Sequence, residues 1–178
     1  MNLSAETLEK IDATIAQFPQ KRSATLPILH LIQEELGHLS LETQEWVAEK
    51  LGVQPIQIRE VVTFYPMYRE EPIGKVHVKV CRTLSCALSG AYKTCEKLEE
   101  KLNCKRGKTS ADGNYTIEFV ECIACCGSAP VVQVDDKLYE NVKPEGAEEL
   151  AEEIKKMAAA EATNAAETPQ PQTPAYFG

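Results

Sequence analysis

The chain has 178 residues, 43% of them hydrophobic and 26% charged, a composition typical of globular proteins that excludes wholesale disorder. It carries 19 basic and 27 acidic residues, for a net charge of −8. No segment is net basic, so the chain would repel a phosphate backbone, and nucleic acid is not expected as a partner. The most apolar stretch, 122–132, contains Gly, Ser and Pro and is shorter than the roughly 18 apolar residues of a membrane helix. Direct membrane insertion is therefore not expected.

Residues 1–70 predict a bundle of helices, because their apolar residues recur three or four positions apart. Gly37 and Gly52 are typical of helix ends, and Ser40 is typical of a helix cap. Pro27 and Pro55 are each suited to the first turn of a helix. The residues predicted to face the core of this bundle are Leu8, Ile11, Ile15, Phe18, Leu29, Ile32, Leu36, Val47, Leu51, Ile58, Val61 and Val62.

Residues 75–157 alternate between strand and helix patterns. Three valines from 76 to 80 alternate with His77 and Lys79, as in a strand with one buried face. A helix with inward Leu88, Tyr92, Cys95, Leu98 and Leu102 follows, then a strand over 115–119, a hairpin turning at 135–136, and a last helix after Pro144 with Leu150, Ile154 and Met157 inward. The order β-α-β-β-β-α predicts a mixed fold, α+β or α/β, with the element order of a thioredoxin-like domain.

Residues 158–178 are mostly Ala, Glu, Thr, Gln and Pro and offer almost nothing to bury. Such a composition is typical of a disordered segment, so we expect a disordered tail here. The expected organisation is thus a helical bundle at 1–70, a thioredoxin-like domain at 75–157 and this tail.

Seven cysteines lie in the middle of the chain, and none is found in the first 80 residues. The start of the chain lacks the basic and apolar regions of a signal peptide, so we expect a reducing, cytoplasmic compartment. There, clustered cysteines indicate metal binding or catalysis more often than disulfides. The positions are Cys81, Cys86, Cys95, Cys104, Cys122, Cys125 and Cys126.

Two cysteine loops each follow a predicted strand. Cys81 and Cys86 come after the first strand, and the group at 122–126 comes after the second. If the strands are neighbours, both loops emerge at one edge of the sheet and four thiolates can converge. Four thiolates suit zinc or an iron–sulfur cluster, and the C-x₄-C spacing recurs in plant-type ferredoxins. An iron–sulfur cluster is therefore favoured, with zinc and plain thiols as alternatives. The small loop residues Thr83, Ser85, Gly127 and Ser128 can bring backbone N–H groups close to the sulfides of such a cluster.

The remaining candidates have simpler interpretations. Cys122 and Cys125 could form a thioredoxin-type redox pair, but a loop and a strand follow them instead of a helix. Cys95 is expected in the core of its helix, and Cys104 is expected to have no role in the site. The three histidines are far from the cysteine pairs in sequence, which argues against a Rieske centre. We expect His30 and His38 to be structural and His77 to face solvent.

Residues 48–62 resemble a helix-turn-helix, a motif that could bind DNA. The segment 1–70 holds 6 basic and 10 acidic residues, and phosphate contacts dominate affinity for DNA. An iron–sulfur redox sensor that binds DNA is thus kept only as an alternative.

Three separated motifs resemble one family closely. They are EVVTFYPMY at 60–68, VCRTLSC at 80–86 and ECIACCGSAPVV at 121–132. In this order they are similar to the NuoE subunit of bacterial NADH:quinone oxidoreductase, respiratory complex I. Relatives of that subunit occur in hydrogenases and formate dehydrogenases, so an equivalent subunit of such an enzyme is a further alternative. The resemblance covers residues 5–157.

The resemblance implies a helical bundle, a thioredoxin-like ferredoxin domain and one [2Fe–2S] cluster with Cys81, Cys86, Cys122 and Cys126 as ligands. It implies a partner subunit that binds FMN and NADH, further peripheral-arm subunits, and a place on the cytoplasmic side of the inner membrane. The chain itself would be a subunit of an NADH dehydrogenase without a substrate site of its own, since it has no Gly-rich phosphate loop after a strand. The family commonly has Gly where this chain has Ala124, which predicts local backbone strain if that position needs a positive φ.

Overall fold

The computed structural model describes residues 3–164, with side chains through residue 160. The chain divides between Pro72 and Ile73 into two compact units. This division falls in the gap between the two predicted domains. Among the residues described, no helix is long and apolar enough to cross a membrane.

Within residues 3–72 the first unit contains four α-helices, as the apolar spacing predicts: α1 Ala5–Ala16, α2 Thr25–Leu36, α3 Leu41–Leu51 and α4 Pro55–Phe64. Serine hydroxyls cap two of them: Ser4 accepts the Thr7 N–H at the start of α1, and Ser40 accepts the Thr43 N–H at the start of α3, each at 3.2 Å. Gly37 ends α2 with a φ of +77°, a conformation that Gly adopts without a steric penalty. The core contains the predicted inward residues Ile11, Ile15, Leu29, Ile32, Val47, Leu51, Ile58 and Val62.

The second unit is a five-stranded sheet with helices. Its elements are β1 Val76–Cys81, α5 Leu84–Leu88, α6 Ala91–Lys101, β2 Lys108–Thr109, β3 Tyr115–Val120, β4 Val132–Val134, β5 Lys137–Tyr139 and α7 Ala147–Asn164. The strand order is β2-β3-β1-β4-β5. The central strand β1 pairs parallel with β3 and antiparallel with β4. The mixed α/β fold is the one that the sequence predicts.

One face of the sheet forms the core of this unit. Val76, Val78 and Val80 of β1 are fully buried, and they share a hydrophobic cluster with Leu98 of α6 and Ile154 of α7. The hairpin of β4 and β5 turns at residues 135–136, as predicted. The alternation of the valines thus places both helices on one side of β1.

The structure corrects three predictions of local structure. The helix predicted from Leu88 to Leu102 is two helices, since the chain turns at Gly90, where φ is +101°. Leu88 and Tyr92, predicted to face inward, are 80% and 45% exposed. The last helix continues to Asn164, so the prediction of a disordered tail from residue 158 was wrong for 158–164. The rest of the predicted tail lies outside the described residues.

The prediction that His77 faces solvent was also wrong. His77 is only 4% exposed, and its Nε2 lies 2.8 Å from Oε1 of Glu118. Its backbone N–H donates to Oδ1 of Asp135 at 2.8 Å. Because β1 is the central strand, side chains of the neighbouring strand and turn cover its polar face as well.

Candidate metal centre

Parallel pairing of β1 and β3 brings the two cysteine loops together. In the register of this pair Cys81 stands beside Val120, so the last residues of both strands lie at one edge of the sheet. The loops that leave this edge contact each other directly. The Arg82 N–H donates to the Val120 carbonyl at 3.1 Å, and the Arg82 guanidinium donates to the Glu121 carboxylate at 2.8 Å. The expectation that both cysteine loops emerge at the same edge is confirmed.

The four candidate cysteines form one buried and one exposed pair. Cys81, at the end of β1, and Cys86, in α5, are each 2% exposed. Cys122 and Cys126 are exposed, and their sulfur atoms are 3.9 Å apart. The second pair is therefore C-x₃-C, and the thioredoxin-type pair of Cys122 with Cys125 is not the one that the loop brings together.

Burial and hydrogen bonds shift the pKa values of the buried pair in opposite directions. Burial pushes the pKa of the Cys81 thiol upward, but the Thr83 hydroxyl and the N–H groups of Ile123 and Thr83 outweigh burial, and the pKa lies below its usual value. Burial raises the pKa of Cys86, and its hydrogen bond to Cys81 raises it further. Since Ile123 belongs to the second loop, its N–H links that loop to a sulfur of the first.

In the exposed pair, too, one pKa is lowered and the other is raised. The Ala124 N–H, 3.3 Å from the Cys122 sulfur, lowers the pKa of Cys122, and the Thr83 hydroxyl and Cys126 lower it further. The pKa of Cys126 is raised because Cys126 hydrogen bonds to Cys122, although the Ser85 hydroxyl acts in the opposite direction. Each pair thus contains one thiol whose pKa lies below its usual value, and metal ligation needs thiolates.

The donor set fits a [2Fe–2S] cluster better than a single ion. Within residues 3–164, no group of three or more His, Cys, Asp or Glu side chains is placed to hold one metal ion. What the structure brings together is two pairs of thiols, with backbone N–H groups directed at their sulfurs. In such a cluster each of the two irons is bound by two thiolates, and N–H groups donate hydrogen bonds to the sulfurs.

The other three cysteines lie in or against the core. Cys95 is fully buried, and burial together with the Glu99 carboxylate raises its pKa to about 11. Cys104 is 3% exposed, and its thiol donates to the carbonyls of Lys108 and Tyr115. Cys125 is partly buried and packs against the same core. These three side chains are held by protein contacts, in agreement with the core interpretation of Cys95.

Ala124 has a left-handed backbone, with a φ of +67°. The condition for backbone strain at this position, a positive φ, is thus met. This conformation directs the Ala124 N–H at the Cys122 sulfur. The strained backbone therefore provides a hydrogen bond to a candidate ligand.

Thr83 and Ser85 are predicted from the sequence only as small residues that admit backbone N–H groups. Both also place a hydroxyl beside a cysteine sulfur, a role that the sequence does not predict. In the structure the Thr83 Oγ1 lies 3.3 Å from the Cys81 sulfur. A Thr two residues after a candidate ligand cysteine was the available signal.

Comparisons with known proteins agree with this geometry. The family model described as thioredoxin-like [2Fe-2S] ferredoxin matches residues 11–155. The chain belongs to this family. The predicted cofactor, one [2Fe–2S] cluster, is confirmed, and zinc is set aside.

Two relatives of this thioredoxin-like ferredoxin are subunits of NADH-quinone oxidoreductases. The chain is 40% identical to such a subunit of Rhizobium meliloti over 75% of this chain and 80% of the relative. It is 37% identical to the corresponding NADH-quinone oxidoreductase subunit of Mycobacterium bovis over 79% of this chain and 56% of that relative. The chain thus spans little more than half of the mycobacterial protein.

Solved structures of low sequence identity share the fold. A chain of an NAD⁺-reducing [NiFe]-hydrogenase in the air-oxidised state aligns with a TM-score of 0.62 and 16% identity, over 74% of this chain and 23% of that chain. At this identity the likeness shows the fold of the ferredoxin and nothing about its activity.

Replacing Ala124 with Gly should relieve backbone strain. A left-handed conformation disfavours Ala by roughly 1 kcal/mol, and the larger unfolded-state entropy of Gly offsets about half of that or more. We expect the free energy of unfolding to stay equal or rise by up to about 0.5 kcal/mol, measured by denaturant titration. Ala87→Gly, in α5, is the matched control and should lose about 0.5–1 kcal/mol. An equal loss in both variants would contradict strain at Ala124.

Proposed function

We propose that this chain is the [2Fe–2S] subunit of an NADH:quinone oxidoreductase, where it exchanges single electrons with the FMN of a partner subunit. The observation that carries the proposal is the pairing of β1 with β3, which places two cysteine pairs at one edge of the sheet. A cluster held there supplies one-electron redox chemistry. The name of the Rhizobium meliloti relative supports the choice of the parent complex.

The ligands we propose are Cys81 and Cys86 from the first loop and Cys122 and Cys126 from the second. Burial of the first pair and the hydrogen bonds to Cys81 and Cys122 support this set. Backbone N–H groups that donate to these sulfurs stabilise the negative charge of the thiolates. Burial of Cys81 and Cys86 keeps water away from one side of the site. Cys125 is left out because Cys126 is the residue whose sulfur lies beside that of Cys122.

A partner subunit accounts for apolar side chains beside the site. Leu84 and Leu88, both in α5 with Cys86, are 74% and 80% exposed. Exposed large apolar residues next to a functional site are typical of surfaces that another protein covers. We propose that the flavin- and NADH-binding subunit covers them, with other peripheral-arm subunits nearby, on the cytoplasmic side of the inner membrane.

The ion pairs of the helical unit do not favour the DNA-binding alternative. Lys10 pairs with Glu6 and Lys50 with Asp12, each at 2.7 Å, and Arg59 of α4 lies 3.7 Å from Glu70. These cations are already neutralised by carboxylates, whereas binding to duplex DNA relies on cations that are available to phosphates.

Serine substitutions at the two adjacent cysteines test the ligand set. Cys126→Ser should lose most of the iron and sulfide, because a serine oxygen is a poor substitute for a thiolate. Cys125→Ser, the matched control, should keep the wild-type optical spectrum and about two irons and two sulfides per chain. The measurement is iron and acid-labile sulfide on anaerobically purified protein. Loss of iron only from the Cys125 variant would move the ligand to that residue.

Turnover tests the assignment of the chain as an electron carrier without a substrate site. The purified chain alone should not oxidise NADH with an artificial electron acceptor. Addition of a flavin-containing partner subunit should restore oxidation and reduce the iron–sulfur signal of this chain. NADH oxidation by the chain alone, in flavin-free preparations, would contradict the proposal.

A further inference from the structure

Thr83, the residue just before α5, uses its side chain differently from the serines that stand just before α1 and α3. Ser4 and Ser40 each accept a backbone N–H of the helix they begin. Thr83 occupies the same position before α5, and its carbonyl accepts the Ala87 N–H at 2.9 Å. Its hydroxyl makes no capping hydrogen bond. A residue type that favours helix caps therefore has its hydroxyl free for another partner.

That partner is sulfur. The Thr83 Oγ1 lies 3.3 Å from the Cys81 Sγ. Cys81 is 2% exposed, so the hydroxyl meets a sulfur of the buried pair. Between free side chains either atom could donate the proton. A cysteine that binds iron is a thiolate without a proton, so in the loaded protein the hydroxyl must be the donor.

We propose that Thr83 is a positioning residue whose hydroxyl donates to the ligand sulfur of Cys81 and thereby raises the reduction potential of the [2Fe–2S] cluster. The inference rests on the proposed ligand set and adds to it the residue that tunes the site. Reduction adds one electron, and its negative charge is shared with the ligand sulfurs. A hydrogen bond to a ligand sulfur stabilises the reduced form more than the oxidised form, so it raises the potential.

The backbone N–H groups at the site do not replace this donor. The N–H of Ala124 is directed at Cys122, and that of Ile123 is directed at Cys81. These donors belong to the main chain and stay when the side chain of Thr83 changes. A substitution at Thr83 therefore removes one hydroxyl and leaves the N–H donors in place, which makes its effect on the potential measurable.

Three substitutions separate the hydroxyl from the shape of the side chain. Thr83→Val keeps the shape and removes the hydroxyl, Thr83→Ala removes both, and Thr83→Ser keeps the hydroxyl. Thr63→Val is the matched control, because the Thr63 hydroxyl bonds to a carbonyl of its own helix, α4. Each full-length variant is purified anaerobically, its iron and sulfide are counted, and its midpoint potential is measured by dithionite titration followed by paramagnetic resonance.

We expect the Val and Ala variants to keep their iron and to show a more negative midpoint potential than wild type. The Ser variant and the Thr63 control should keep the wild-type potential. If the Val variant does not assemble a cluster, the midpoint potential of the Ala variant decides. Loss of iron from both variants without the hydroxyl, with the Ser variant loaded, would contradict a role in tuning the potential, because the hydroxyl would then be needed to hold the cluster.

Several results would overturn the inference. One is a loaded Val or Ala variant with the wild-type potential, and another is a Ser variant shifted as far as the Val variant. Loss of iron from all three variants at Thr83 would show that the shape of the side chain, not its hydroxyl, is what the site needs. A wild-type chain that holds no reducible iron–sulfur cluster would instead contradict the proposed function, so the two failures are distinguishable.

Discussion

The hydrogen-bonded pairing of β1 with β3 is the constraint on which the site depends. In a parallel pair both strands end at the same edge, so the loops that follow them must begin side by side. An antiparallel pair would have sent Cys81 and Cys122 to opposite edges of the sheet. The apolar alternation of Val76, Val78 and Val80 fixes which face of β1 meets α6 and α7, and with it the register that sets the two loops next to each other.

The loops are built so that one pair of thiols is protected and the other is accessible. Cys81 and Cys86 are buried, while Cys122 and Cys126 lie in a loop that ends in a short 3₁₀ turn. A site of this kind is shielded from water on the side of the sheet and open on the other, where a partner can approach. The left-handed backbone at Ala124 lies on the open side. Its N–H donates a hydrogen bond to the Cys122 sulfur there.

The sequence predicts what depends on local periodicity and misses what depends on neighbours. Apolar spacing and caps such as Ser40 define the helices of the first unit, and cysteine spacing after the strands locates the site. The sequence does not predict the break at Gly90, because Leu88 has the spacing of the apolar residues of α6 although it belongs to α5. Burial of His77 depends on Glu118, which is far away in sequence. The sulfur contact of Thr83 likewise depends on the fold of its loop, which the two-residue spacing from Cys81 alone does not determine.

Anomalous diffraction at the iron edge, from crystals of the full chain grown without oxygen, tests the central claim most directly. We expect two iron positions at the edge where β1 and β3 end, one beside Cys81 and Cys86 and the other beside Cys122 and Cys126. A single metal position, or iron bound by Cys125, Cys95 or Cys104, would contradict it.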